Sequence, residues 1–168
     1  MSAQTSYRFG TPMGAAGGIV DLAPYEIDTF LNEENTGVMK FGVGVVKSTE
    51  KPGTCVKLPG SASVAADFEG IVTNNRTTEY DIEGKIAIRK GASCGVMRYG
   101  KIYGLLAANA APTYGADVYL VVNGDEAGRF THDSSAGVAI GGKFRSGKDA
   151  TNGVAVIELF NAPQPSAD

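Results

Sequence analysis

The sequence has no tryptophan, a single histidine (His132) and only two cysteines (Cys55 and Cys94) among its 168 residues. The spacing of the cysteines matches no zinc-binding pattern, and without a recognisable secretory signal they are expected to be free thiols rather than a disulfide. A hydrolase that pairs serine or cysteine with histidine would have to use His132, which lies in a polar stretch between two predicted strands. We therefore predict no metal site, no cofactor and no enzyme activity.

Basic residues are also fewer than acidic residues. The net charge is −3 and the isoelectric point is about 5.2, whereas nucleic-acid-binding proteins present a basic face. No apolar run approaches the roughly 20 residues that a membrane-spanning helix needs. Residues 1–36 hold one base and five acids, while the remaining residues hold 14 bases and 13 acids. The composition thus predicts neither a nucleic-acid nor a membrane partner, and it makes the N-terminal part the acidic part.

Glycine is abundant instead, at 23 residues, which is about twice its ordinary share and indicates many turns and bulges. Between these turns lie short runs rich in β-branched and aromatic residues, which we interpret as about nine strands. An all-β fold follows, either a small β-sandwich or a tulip-like β-barrel, because strand register cannot be read without pairing information. The strand-like segments are 38–46, 54–58, 68–73, 85–89, 95–99, 102–106, 117–122, 127–131, 138–144 and 154–160.

The segments that flank these strands predict the domain organisation. Residues 1–36 are expected to be an extended N-terminal arm, residues 37–160 the β domain and residues 161–168 a disordered, proline-rich tail. Within the arm, Pro24 suits the first position of a helix, and the apolar residues that follow it have helical spacing. Such a helix would have about two turns at most, which is marginal without a surface to pack against.

Four apolar side chains of the arm are the candidate partner-binding residues: Tyr25, Ile27, Phe30 and Leu31. They either anchor the arm to another protein or fasten it to its own β domain, and the sequence leaves both open. If they are anchors, deleting residues 1–36 is expected to abolish partner binding and to leave the β domain folded.

Two motifs resemble chemical sites. Residues 142–149 nearly spell the phosphate-binding pattern G-x-x-x-x-G-K-[ST], but Asp149 takes the place of the hydroxyl and would repel phosphate, so we predict a basic hairpin loop. Glu79, Asp81 and Glu83 alternate on one face of a possible strand. That face suits a weak calcium or glycosidase-like site, although a solvated edge strand protected by charge is the preferred interpretation.

The order of several structural motifs along residues 37–160 resembles the structural cement, or head decoration, proteins of tailed bacteriophages. None of these motifs is specific to the family when taken alone. The resemblance lies in the order in which they follow one another after a Gly/Pro-rich N-terminal arm. The motifs are FGVGVV (41–46), FEGIV (68–72), GKIAIRKG (84–91), APTYGADVYLVVNG (111–124), AGRFT (127–131) and GVAVIEL (153–159).

The resemblance implies a protein without catalytic residues that binds the outside of an assembled phage head and stabilises it against internal pressure. It further implies the major capsid protein as partner, a homotrimeric state, synthesis in the host cytoplasm and a final location on the outer capsid surface. The alternative is a carbohydrate-binding or adhesin-type β-sandwich, which Tyr99, Tyr103, Tyr114 and Tyr119 keep open although tryptophan is missing.

Overall fold

The structure is a computed structural model that describes residues 13–74 and 87–160. The described residues form nine β-strands and two short 3-10 helices, the latter at Ala65–Asp67 and Gly124–Glu126. Within these ranges no helix has the length and apolar character needed to cross a membrane. In chain order the strands are β1 Glu26–Asn32, β2 Gly44–Lys47, β3 Cys55–Lys57, β4 Phe68–Val72, β5 Ser93–Leu105, β6 Asp117–Leu120, β7 Phe130–Thr131, β8 Val138–Phe144 and β9 Val154–Leu159.

Five of the strands close into a barrel. Their order is β1-β3-β2-β4-β5, and β5 returns to pair with β1 from Glu26 opposite Tyr99 to Leu31 opposite Ser93. The β1–β3 pair is parallel and the other pairings are antiparallel. The predicted all-β fold is confirmed, and of the two architectures left open by the sequence the structure has the barrel.

The second half of β5 extends the sheet beyond the barrel. Residues Gly100 to Leu105 pair with β9, and the order continues through β8 and β6 to β7. An isolated parallel bridge between Leu106 and Phe130 brings the last strand back to the end of β5. β5 is therefore shared by both halves of the molecule.

Two apolar clusters fill the two halves. On β2 and β4, the side chains of neighbouring residues are buried on opposite faces of the strand. These two strands therefore contribute side chains to both clusters. Each side chain that is fully buried in this way contributes about 1.5–3 kcal/mol. The barrel cluster includes Phe30, Val45, Val56, Val72 and Val96, and the second cluster includes Val46, Ile71, Met97, Ile102, Phe130, Phe144, Ile157 and Leu159.

The helix predicted after Pro24 is wrong, because Glu26–Asn32 forms strand β1. Along β1 Phe30 and Asn32 are buried, whereas Thr29 and Leu31 are exposed. This is the two-residue alternation of a strand. A segment this short has little helical stability of its own, so the backbone partners offered by β5 and β3 decide its conformation.

Other predicted elements differ in extent. Of the segment 38–46 only residues 44–46 are strand, as part of β2, and the segments 95–99 and 102–106 belong to one continuous strand, β5. Residues 87–89 form no strand, and 85–86 lie outside the described residues. The prediction for 138–144 is confirmed by β8. Glycine allows two of these differences, because Gly42, at φ +75°, precedes β2 and Gly100, at φ +118°, lies within β5.

The predicted domain boundary after residue 36 stays a prediction. β1 lies before that boundary and is nevertheless a strand of the barrel. The predicted tail, 161–168, lies outside the described residues.

Replacement of Gly70 by alanine should destabilise the barrel severely. Gly70 has φ +148°, and a Cβ there would lie 2.3 Å from the carbonyl oxygen of Met97 on the neighbouring strand. We expect Gly70→Ala to lower the free energy of unfolding by at least about 2 kcal/mol in urea denaturation followed by circular dichroism.

The matched control is Gly60→Ala, since no atom lies within 4 Å of an added Cβ at that position. Its effect should stay within about 0.5 kcal/mol. Equal stability of the two variants would contradict the tight approach of β4 and β5 at Gly70.

Candidate functional site

His132 lies exposed in the loop after β7. The adjacent carboxylate of Asp133 accepts hydrogen bonds from the hydroxyl and the backbone N–H of Ser135, at 2.7 and 2.8 Å. These bonds lower the pKa of Asp133, and they turn its carboxylate toward its own loop. Among the described residues none forms a hydrogen bond with His132, and no group of three or more His, Cys, Asp or Glu is placed to hold a metal ion.

The segment that resembles a phosphate-binding loop is a hairpin connection between β8 and β9. The ammonium group of Lys148 donates to the carbonyl oxygens of Ala107 and Ala108, at 3.2 and 2.6 Å. The carboxylate of Asp149 accepts from the backbone N–H of Asn152 at 2.8 Å. As far as residue 160, where the described part of the chain ends, no helix follows the segment. The prediction of a hairpin loop is confirmed, and its lysine joins two loops of the chain.

The two cysteines are free, as predicted, and the structure buries both. Burial raises the pKa of the Cys94 thiol to about 11. The alternating acidic residues Glu79, Asp81 and Glu83 lie outside the described residues, so both interpretations of that segment stay predictions.

The N-terminal segment runs antiparallel along most of β5. The N–H of Gly17 donates to the carbonyl of Tyr103 at 2.8 Å, and the N–H of Tyr103 donates to the carbonyl of Gly18 at 3.0 Å. The N–H of Val20 donates to the carbonyl of Lys101 at 3.1 Å. β1 then continues the pairing along the first half of β5. The described part of the N-terminal segment therefore forms part of the surface of the β domain.

The four candidate partner-binding residues divide into two pairs. Phe30 is buried in the barrel cluster, and Ile27 is half-buried against the second cluster. Tyr25 and Leu31 are exposed, at 46% and 38% of their surface. The structure thus uses Phe30 and Ile27 in the packing of the chain itself and leaves Tyr25 and Leu31 accessible to a partner.

Two further exposed apolar residues precede them. Leu22 is 97% exposed and Ile19 is 41% exposed. We call these two residues and Tyr25, which are all exposed and lie within residues 19–25, the N-terminal apolar ridge (Ile19, Leu22, Tyr25). The sequence analysis missed Ile19 and Leu22, because nothing in the spacing of apolar residues distinguishes an outward from an inward side chain in a short irregular segment.

The ridge is held in place at three points. Asp21 forms an ion pair with Lys101 at 2.9 Å and accepts the N–H of Ala23 at 3.1 Å. The lysine lowers the pKa of Asp21, whose carboxylate in turn raises the pKa of Lys101. Tyr25 packs against Gly100, where an added Cβ would lie 2.7 Å from the tyrosine Cβ. The exposed side chains therefore stand on a fixed backbone.

Beside the ridge, charges of alternating sign cross the second half of the sheet. Lys101 and Lys143 both lie opposite Glu158, and Lys143 forms an ion pair with Asp117 at 2.7 Å. Asp21 extends the row through its bond to Lys101. This row places three acidic and two basic side chains on one face and gives the ridge a polar border.

A second exposed cluster lies near the same row. The guanidinium carbon of Arg145 is 5.5 Å from the ring centroid of Tyr114 and 5.9 Å from that of Phe160. Glu158 accepts a hydrogen bond from Arg145. Among the tyrosines considered for sugar binding, Tyr114 thus stacks on arginine, and Tyr103 is covered by the backbone at Gly14 and Gly18.

Comparison with known proteins relates the chain to phage capsids. A family model described as structural cement protein (E217 gp24/Pam3 gp6) matches residues 3–160. No curated protein matches the sequence. A solved chain from "The capsid of Myoviridae Phage XM1" shares the fold with a TM-score of 0.69 and 17% sequence identity, covering 96% of this chain and 99% of that chain.

Both cysteines of the native protein should resist thiol reagents. The raised pKa of Cys94 keeps its thiolate fraction small at pH 8, and burial keeps reagents from both residues. We expect the native protein to react with Ellman's reagent much more slowly than the protein unfolded in urea. The control is Ser134→Cys, which adds an exposed thiol that should react at once. Equally fast reaction of the native cysteines would contradict their burial.

Proposed function

This chain belongs to the phage structural cement protein family, and from that membership we propose that it binds the outer surface of an assembled phage head and stabilises the head against the pressure of its DNA. As a cement protein it is a structural component of the phage capsid, associated with capsid components in the virion. Membership also implies a structural, non-enzymatic role. The finer features that we propose are the major capsid protein as partner, a homotrimeric state, and synthesis in the host cytoplasm.

The observation that carries the proposed contact site is the N-terminal apolar ridge. Leu22 is almost wholly exposed, and it stands on a backbone fixed by the ion pair between Asp21 and Lys101. Full burial of one such side chain contributes about 1.5–3 kcal/mol, and the bonds of Asp21 to Lys101 and Ala23 reduce the backbone freedom that binding would remove. Tyr25 and Leu31 add two of the residues predicted to bind a partner, while Ile27 and Phe30 pack into the two apolar clusters of the chain itself.

A protein that reinforces a shell must itself resist deformation, and the barrel provides this. Arg98 on β5 donates to Asp28 of β1 at 3.1 Å and to Glu69 of β4 at 3.0 Å, so one side chain ties three adjacent strands. Closure leaves no free edge among the five barrel strands. Force on the ridge would therefore be transmitted through paired strands.

Binding to a symmetric shell does not need a large contact for each copy. If the protein is oligomeric, each oligomer places several ridges on the shell at once, and linked contacts bind far more tightly than one contact alone. The proposed trimer is therefore compatible with a ridge of three apolar side chains.

The test of the proposed function is titration of the purified protein against mature, expanded capsids stripped of it, with bound copies counted for each shell. Saturation at a fixed stoichiometry and a raised melting temperature of the shell are expected, because a ligand of the assembled state stabilises that state. A folded protein that does not bind would contradict the proposal, and a glycan array would then test the carbohydrate-binding alternative.

Polar substitution of the ridge should weaken shell binding and leave the fold intact. We expect Leu22→Ser combined with Tyr25→Ser to lower the affinity for stripped capsids at least about tenfold, because exposed apolar anchors dominate binding energies. Circular dichroism spectra and urea midpoints should stay close to those of the wild type.

The matched control is Val64→Ser, since Val64 is 57% exposed and lies beside the 3-10 helix of residues 65–67. It should bind capsids like the wild type. Equal binding by all variants would place the capsid contact elsewhere. Deletion of residues 1–36 is not a clean test, because it removes β1 and opens the barrel.

A further inference from the structure

We propose that Asn123 is a site of spontaneous deamidation in the folded protein, whereas Asn152 is protected by its surroundings. The sequence contains two Asn-Gly pairs, Asn123-Gly124 and Asn152-Gly153. Such pairs are prone to this reaction because glycine has no side chain to hinder attack by its backbone nitrogen on the preceding side-chain amide. The inference depends on local geometry and does not rest on the proposed function.

The reaction proceeds in two steps and needs only water. The backbone nitrogen of Gly124 loses its proton and attacks Cγ of Asn123, the Cγ–Nδ2 bond breaks, and ammonia leaves a five-membered succinimide. Water then adds to one of the two ring carbonyls and breaks one ring C–N bond. The products are aspartate, with the original backbone, or isoaspartate, whose backbone runs through the side chain.

Asn123 meets the conditions for the first step. Both residues of the pair are exposed in the loop between β6 and β7. Gly124 is the first residue of the 3-10 helix, where the N–H has no partner within the helix. Among the described residues no acceptor is placed for this N–H and no donor or acceptor for the Asn123 side chain.

The surroundings of Asn123 also leave room for ring closure. Its backbone is extended, with φ −128° and ψ 152°, so rotation about ψ must bring the Gly124 nitrogen toward Cγ. No atom lies within 4 Å of the position that a Cβ on Gly124 would take. The rotation is opposed by the bond from the N–H of Ala127 to the carbonyl of Gly124 and by the bonds of Val121 to Gly128 and Arg129 that close the loop, none of which involves the reacting atoms.

Asn152 is exposed as well, but its reacting atoms are engaged. The N–H of Gly153 donates to the carbonyl of Asp149 at 3.0 Å. The side-chain amide of Asn152 donates to the carbonyl of Met13 at 3.4 Å, and its backbone N–H donates to the carboxylate of Asp149 at 2.8 Å. These bonds hold the nucleophile and the leaving group apart.

Conversion of Asn123 alters the loop in two ways. A new carboxylate appears beside Asp125 and Glu126, and Glu126 already accepts hydrogen bonds from the N–H of Ala108 and from Arg129. Isoaspartate also lengthens the backbone inside the loop that the bond from Gly128 to Val121 closes. The protein would therefore acquire charge and shape heterogeneity at this one loop as it ages.

The experiment is a time course of the full-length protein at mildly alkaline pH and 37 °C. Peptide mass spectrometry localises each amide-to-acid conversion, and an isoaspartyl methyltransferase assay detects the isomer. We expect Asn123 to convert about tenfold faster than Asn152 in the folded protein, since local structure must open before Asn152 can react. In urea the two sites should convert at similar rates.

Two controls keep the result interpretable. Asn123→Gln retains an amide but disfavours the five-membered ring, so it should abolish the conversion assigned to residue 123. The urea sample shows whether sequence alone would distinguish the two pairs. No conversion of folded Asn123, or equal rates at both sites in the folded protein, would overturn the proposal.

Discussion

The pairing of β1 with β5 is the interaction on which the rest of the structure depends. It joins the two ends of a five-strand order, and without it both β1 and β5 would present unpaired backbone groups. Asp28 and Arg98, which meet across this pair, are 70 residues apart in the chain. The entropy cost of closing a loop grows only slowly with its length, so long-range pairing can be supported by the packing of Phe30 inside the barrel.

The same pairing fixes the candidate contact site. The N-terminal segment reaches β1 by running along the second half of β5, where Gly18 and Val20 bond to the backbone of that strand. The connection between these two paired stretches is short, and its apolar side chains face outward. One continuous antiparallel alignment thus closes the barrel and presents Leu22 to solvent, so that changes to the ridge backbone would also act on the barrel.

The sequence predicted well what local patterns determine. The strand predicted at residues 138–144 is β8. The presence of Asp149 where a phosphate-binding loop needs a hydroxyl predicts a hairpin loop, and the structure has one around Lys148. The prediction failed where contacts with distant parts of the chain decide the local conformation. Residues 26–32 have spacing compatible with either a short helix or a strand, and only the edge of β5 selects the strand.

The exposure of individual side chains could not be predicted from the sequence, for the same reason. Phe30 and Leu31 are neighbours with similar apolar character, but strand alternation buries one and exposes the other. The four residues predicted to bind a partner therefore divided between the core and the surface. To predict which side chains of this segment are exposed, its register against β5 must be known. No pattern within the segment itself determines that register.

In the proposed role the protein attaches to a finished shell through the ridge. The ridge consists of three exposed apolar side chains next to the ion pair of Asp21 and Lys101. Its small size limits the affinity of one copy for one site. In the proposed role, strength would then come from repetition over a symmetric surface, and selectivity for assembled heads would follow because only an assembled head repeats the site.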